Sequence, residues 1–329
     1  MRKVKLSALL AAVLFGLAAL AAPLKIGITQ IVDHPALNAV RQGVIDVLAE
    51  AGYVEGENVE YILGNAQGDF SVAMSIAQNF LAQGVDLVVS IATPTSQAAV
   101  QVFKDTSVPV VFSAVTDPVG AGLTGYPNVT GTSDMIDVAS DLALLKELVP
   151  GLTKVGMVYN PGEANSAILT DMAKEAGGDL GLEIVVAAAE NTAAVPLAAQ
   201  SLIGRVQAIY VTTDNTVVSA LESVVDVAKS QRIPLLVGDP SSLERGALVC
   251  TGWDYYSHGR LTGTVVLEIL SGKSPSEIPV IYQKDTEFGK REIWLNLDVA
   301  SEVAFEFPQA IREKATGLLF GGRRFVIED

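Results

Sequence analysis

Apolar runs and stretches of helical period alternate along most of this chain. Residues 24–29 (LKIGIT) read as a first strand. Residues 35–51 then carry Ala36, Val40, Val44, Val47 and Leu48 at helical spacing, and Gly52 closes the helix. Strands are predicted at 59–63, 85–91 and 108–112, with helices at 70–83 and 94–105 between them. An exit strand at 128–133 ends this series. A second begins with a helix at 137–149, a strand at 154–159, a helix at 164–180, a strand at 183–187 and a helix at 194–204. Strict βα alternation predicts parallel sheets wound on both faces. Further on, a strand is expected at 247–251, a helix at 254–272 and late strands at 278–282 and 292–296. Short helical pieces follow at 299–302 and 309–314. Residues 315–329 read as an irregular tail, with 320–329 poorly packed.

One pattern is written twice. Residues 206–239 run as apolar strand, polar loop, long helix, second strand and acidic loop, and residues 85–117 do the same. Thr93-Pro94-Thr95-Ser96 falls near Thr213-Asp214-Asn215-Thr216, and Asp117 falls on Asp239. The repeat predicts two matching α/β lobes whose loops face each other across a cleft. The late helix and late strands predict an interleaved chain that crosses between lobes near 128–134, 252–255 and 282–284. The expected division is lobe 1 over 24–131 plus 255–282 and lobe 2 over 132–254 plus 283–314. The fold class is thus two doubly wound parallel-sheet lobes joined by a multi-strand hinge.

Composition narrows the function. Arg2, Lys3 and Lys5 precede an apolar run over 6–20 that ends in Ala19-Leu20-Ala21, the order of a secretory signal peptide. The run falls short of the roughly 20 residues that span a bilayer. No cysteine stands directly after it, so an exported, periplasmic protein without a lipid anchor is expected. The formal net charge is −15, which argues against nucleic-acid binding. Cys250 is the single cysteine and sits in a strand-like run, as a buried thiol does. His34 and His258 show no spacing for a metal site or a catalytic pair and are expected at the surface or behind a site. No glycine-rich phosphate loop or nucleophile elbow is present. Neither an enzyme, nor a cofactor, nor a bound metal is expected.

In open parallel sheets, ligands bind beyond the carboxyl ends of the strands. The loops there hold Gln30, Thr93, Thr95, Ser96 and Asp117 in the first series. In the second they hold Asn160, Asn165, Thr213, Asp214, Asn215 and Asp239. These candidates include hydroxyls, amides and three acids, with no lysine or arginine. Thr93, Thr95 and Ser96 open a helix, where hydroxyls and free N–H groups suit a carboxylate. Asp117, Asp214 and Asp239 suit an ammonium group, Asp214 foremost. Asn160 and Asn165 complete a polar cage, although such residues also cap helices. The combination suits a zwitterion, an amino acid above all.

At these loops the chain resembles a known family. IATPTSQAAV, FSAVTDPVGAGL, VGMVYNPGEANS, VTTDNTVVSALESVV, ERGALV and DYYSHGRLTG together resemble bacterial ABC-transporter substrate-binding proteins of the periplasmic-binding-protein type I fold, in the TrpX-like, aromatic amino-acid branch. The resemblance spans 25–314. It implies two lobes that close on an amino acid, often aromatic, and deliver it to an ABC permease and its ATPase, with the protein acting as a monomer. The tail and the missing lipobox cysteine depart from the pattern. A sensor that presents a ligand to a membrane receptor is the alternative expectation.

Overall fold

The computed structural model describes residues 22–327, so the expected signal peptide lies outside the described residues. In chain order the first elements are β1 (Leu24–Gln30), α1 (Pro35–Glu50), β2 (Val59–Asn65), α2 (Phe70–Gln83), β3 (Leu87–Ile91), α3 (Thr93–Phe103), β4 (Val110–Ser113) and β5 (Val129–Ser133). Then come α4 (Val138–Leu148), β6 (Lys154–Tyr159), α5 (Ala164–Leu180), β7 (Glu183–Ala188), α6 (Val195–Gln200), β8 (Ala208–Val211), α7 (Asn215–Ser219), α8 (Leu221–Gln231), β9 (Leu235–Val237) and β10 (Val249–Gly252). The chain ends with α9 (Tyr255–Leu270), β11 (Ile281–Tyr282), β12 (Glu292–Asn296), α10 (Leu297–Val303), α11 (Gln309–Lys314), β13 (Gly317–Phe320) and β14 (Arg323–Val326).

These strands form two sheets. One has the order β11-β5-β4-β3-β1-β2 and is parallel throughout. The other has the order β14-β13-β12-β10-β9-β8-β6-β7, with antiparallel pairs at β10/β12 and β13/β14. Strands β3 and β8 are buried along their whole length, because helices cover both faces. That is why they read as unbroken apolar runs. The chain passes between the sheets three times: after β5, between β10 and α9, and between β11 and β12.

Helix α9 follows ten strands of two sheets, yet it packs on α1 of the first lobe. Small residues permit this close approach. A Cβ on Gly43 would stand 2.4 Å from the Tyr256 carbonyl oxygen, and one on Gly259 would stand 2.1 Å from that of Val40. Helix α9 therefore belongs to the first lobe although it arrives from the second.

Two expectations need correction. The long helix expected within 206–239 is broken: Ala220 leaves helical geometry at φ −112° and ψ 27°, which separates α7 from α8. The tail is not irregular. Strands β13 and β14 form a hairpin on the edge of the second sheet, and Asp298 accepts hydrogen bonds from the N–H groups of Gly321 and Gly322 at its turn. Arg324 lies over the Trp294 ring at 4.8 Å and pairs with Glu244. These contacts tie down a segment whose Phe320, Phe325 and Val326 side chains are exposed.

Candidate ligand site between the lobes

A cavity lies between the carboxyl ends of the two sheets. Its first-lobe wall is His34, Ala36, Leu37, Thr93, Ala114, Thr116 and Tyr255. Its second-lobe wall is Asn165, Thr213, Asp214, Asn215, Val218 and Asp239, and Asp134 enters from the first crossing. Six expected residues line the cavity: Thr93, Asn165, Thr213, Asp214, Asn215 and Asp239.

The remaining five do not, and each has a local use. The Thr95 hydroxyl turns back to the carbonyl oxygens of Ile91 and Ala92, and that of Ser96 to Ala92 at 2.8 Å and Ser90 at 3.1 Å. Both are spent inside lobe 1. Asp117 accepts from the N–H groups of Val119 and Gly120 in its own turn. Gln30 bonds Asp33, Asn38 and Arg41, which braces the loop after β1. Asn160 donates to Thr216 and accepts from the Gly162 N–H.

The two halves of the sequence repeat carry opposite electrostatics. In the second lobe, Glu163 sits at the N-cap position of α5 but does not cap it. Its carboxylate instead reaches the start of α7 and accepts from the Asn215 side chain at 2.6 Å, the Thr216 hydroxyl at 2.7 Å and the Thr216 N–H at 3.0 Å. Asp214 caps the same helix through the Val217 N–H at 2.9 Å. Its other oxygen accepts from the Asn160 N–H at 2.6 Å and the Ser166 hydroxyl at 2.5 Å. Burial, and then the Glu163 charge, push the Asp214 carboxyl up to about 7. This helix start is filled by two acids of the protein itself.

The first-lobe counterpart is open. Helix α3 begins at Thr93 with no acid in its first turn. The N–H groups of Thr93 and Thr95 donate to no acceptor among the described residues, and Pro94 has none to offer. Ala92, just before the helix, sits at φ 78° and ψ 157°, and Ala114 after β4 has φ 52°. Such conformations cost on the order of 1–3 kcal/mol each and gather at ligand sites.

Several polar atoms of the cavity residues are buried without a well-formed hydrogen bond among the described residues: the hydroxyls of Thr93 and Thr213, the Asn165 side-chain oxygen and both ring nitrogens of His34. Buried polar groups are almost always paired, so a cluster of exceptions around one cavity marks a site for a polar ligand. His34 is buried rather than at the surface. Burial lowers its pKa to about 4, against the opposing influence of Asp239 and Asn215.

Among the acids, Asp239 already accepts from the hydroxyls of Ser241 and Ser242 and the Ser241 N–H. Asp134 is different. It accepts from the Tyr255 hydroxyl at 2.9 Å and weakly from Thr116 at 3.4 Å, with no cation in contact among the described residues. Burial raises its pKa. Asp134 and Tyr255 were not among the expected site residues. Asp134 directly follows the exit strand β5, so the strand-end rule that found the others also points to it.

His258 is likewise buried, not superficial, and braces the site from behind. Its Nε2 accepts from the Ala114 N–H at 2.9 Å and lies 2.9 Å from the Thr132 hydroxyl, while Nδ1 lies 2.7 Å from Gln283 Oε1. Accepting at Nε2 makes Nδ1 the donor, as in a neutral ring. Trp253 packs at the hinge, with its indole N–H directed to the Met135 carbonyl at 3.3 Å. Cys250 is buried, which pushes its thiol pKa well up. No helix among the described residues is long and apolar enough to cross a membrane.

Residues 25–318 match the family described as ABC transporter substrate binding protein. A tyrosine-binding protein of Clostridioides difficile (strain R20291) is 38% identical over 267 residues, which is 80% of this chain and 77% of that protein. The crystal structure of an ABC domain in complex with L-Trp from Streptococcus pneumoniae is 31% identical. It superposes with a TM-score of 0.83 and covers 90% of this chain and 100% of that one. The ligand-free, open structure of a Clostridium difficile substrate-binding protein with adhesive properties is 36% identical. Its TM-score is 0.64, over 88% of this chain and 97% of that one.

Proposed function

The chain belongs to the ABC transporter substrate-binding protein family, and on that premise we propose that it captures an L-amino acid with an aromatic side chain between its two lobes. The observation that carries this reading is the set of unpartnered polar atoms around the interlobe cavity, with the open start of α3 among them. The names of the relatives, one tyrosine-binding and one bound to L-Trp, support the ligand class.

The ligand carboxylate lies at the start of α3, held by the Thr93 N–H and hydroxyl. A helix N-terminus favours an anion without needing a buried cation. The ammonium group lies against Asp134, which has no other cation, and donates also to the Asn165 side-chain oxygen. Asp214 and Asp239 then serve as scaffold acids. This places the amine on the hinge acid, away from Asp214, where the sequence reading put it. Thr213 and Asn215 complete the second-lobe wall.

The groups that hold the ligand come from both lobes and from a crossing strand, so the full set forms only when the lobes meet. Ligand binding then draws the open–closed equilibrium toward the closed form. The chain superposes better on the L-Trp complex than on the open protein, although the open one is closer in sequence. That comparison supports reading the present arrangement as closed. An ABC permease with its ATPase is the receiving partner, and the protein acts as an exported monomer.

Calorimetric titration with L-tryptophan, L-tyrosine and L-phenylalanine tests the ligand class. Binding of at least one is expected, with loss when its carboxylate is converted to an amide. Heat from none of the three would overturn the reading.

A further inference from the structure

We infer that the buried imidazole of His34 reads a hydrogen-bonding group on the ligand's side chain, so that the site selects a phenol or an indole N–H over a plain phenyl ring. The inference rests on the amino-acid reading above and deepens it.

His34 occupies the N-cap position of α1, in extended backbone at φ −152°, and its side chain does not cap the helix. It is 8% exposed, and neither ring nitrogen makes a well-formed hydrogen bond among the described residues, the Asn215 side chain being the one amide near enough to approach it. A neutral imidazole carries one donor and one acceptor. Leaving both buried and unused is costly unless a ligand supplies the partners. The groups facing it are Asn215 and Asp239 of the second lobe, Arg245 behind them, and Asp33 of its own loop. Asp239 already accepts from Ser241 and Ser242, and Asn215 donates to Glu163.

Within the cavity, His34 is left for the ligand's side chain. An amino-acid head group is provided for by the start of α3, Asp134 and Asn165. Once these are used, His34 and the Thr213 hydroxyl are the unpartnered polar groups left over. Beside them, Ala36, Leu37 and Val218 offer apolar surface, which suits the ring of an aromatic ligand. A ring that ends in O–H or N–H meets both needs. Sites built to hydrogen-bond a ligand group discriminate strongly against the analogue without it, because their own polar groups are then buried unpaired.

The test is calorimetric titration of the parent, His34→Leu and His34→Gln with L-tyrosine, L-tryptophan and L-phenylalanine, with circular dichroism to verify folding. The parent should bind tyrosine or tryptophan at least about tenfold more tightly than phenylalanine. His34→Leu should weaken the preferred ligand by about 10- to 100-fold and phenylalanine by less than about threefold, and His34→Gln should restore part of the preference. Equal affinities for all three ligands in the parent would overturn the inference while leaving the amino-acid reading intact. So would an equal loss for all three in folded His34→Leu. If that variant does not fold, the parent's ratios and the Gln variant decide. If the parent binds none of the three, the underlying reading fails, and the inference with it.

Discussion

The Tyr255 hydroxyl donates a 2.9 Å hydrogen bond to Asp134. One residue opens α9, just after the second crossing between the lobes, and the other lies on the first crossing. The bond therefore joins two hinge segments and fixes a buried carboxylate that has no cation beside it among the described residues. Asp134→Asn should weaken amino-acid binding by about 10- to 100-fold, the scale of a hydrogen bond to a charged group. Tyr255→Phe, which leaves the carboxylate in place, should cost less, about fivefold. Calorimetry on both variants checks this, and unchanged affinity in folded Asp134→Asn would remove the assignment.

Affinity should also depend on pH through His34. In the closed arrangement its pKa is about 4, against an ordinary 6.5. If opening exposes the ring, the open form binds a proton between these values and the closed form does not. Binding then weakens as pH falls below about 6.5. Asp33, Asp239 and Arg245 face the ring, and Asp134 and Asp214 line the same cavity, so the comparison with His34→Gln isolates its share. The parent should lose about 20-fold in affinity from pH 7 to pH 5. The variant should lose clearly less, and parallel pH profiles would refute the link.

Asp214 makes a prediction of opposite sign, about folding. Its carboxyl is raised to about 7 in the folded chain, against 3.8 for the unperturbed group. Between these values the native state holds a proton that the unfolded chain has released. Stability from this group is therefore greatest at low pH and is lost as pH rises through about 7. Relative to the parent, Asp214→Asn should gain stability from pH 5 to pH 8, with a slope of about 1.4 kcal/mol per pH unit that levels off above about pH 7. Denaturation at several pH values reads the slope, which is separate from the constant cost of disturbing the bonds from Asn160, Ser166 and Val217. A slope identical to the parent's would show that the carboxyl titrates normally.

Gly259→Ala should destabilise the first lobe by about 1–3 kcal/mol, the cost of overpacking a tight contact. The added carbon would meet the Val40 carbonyl at 2.1 Å, and backbone cannot move aside as a flexible side chain can. Gly178→Ala on α5 is the control, since a Cβ there meets nothing within 4 Å. Urea denaturation of the two variants should separate them clearly. Equal midpoints would show that α9 shifts without penalty.

Much of this molecule is legible in the chain. Helices α5 and α11 and strand β12 fall at the limits expected for them, because local signals mark their ends, as Gly181 in the left-handed conformation does for α5. The strand-end rule brought Thr93, Asn165, Thr213, Asp214, Asn215 and Asp239 to one cavity, since parallel strands must place their following loops on the same side.

The tertiary structure decided which way each side chain is spent. Thr95 and Ser96 share a helix start with Thr93, yet their hydroxyls fold back onto lobe 1 carbonyls, a choice of rotamer that spacing does not encode. Glu163 looks like an acid at the head of its own helix, but it serves α7, which lies next to it only because β6 and β8 are neighbours in the sheet. That one long-range contact fills the second-lobe helix start and leaves the first-lobe copy open, so a symmetric repeat becomes an asymmetric site. Asp134 and Tyr255 are 121 positions apart, and only the crossing of the chain between lobes brings them together. Sequence determined two lobes with polar loops facing each other, because periodicity and turn residues act locally. Which of those polar groups remain free for a ligand is a matter of long-range pairing, and the packed chain alone settles it.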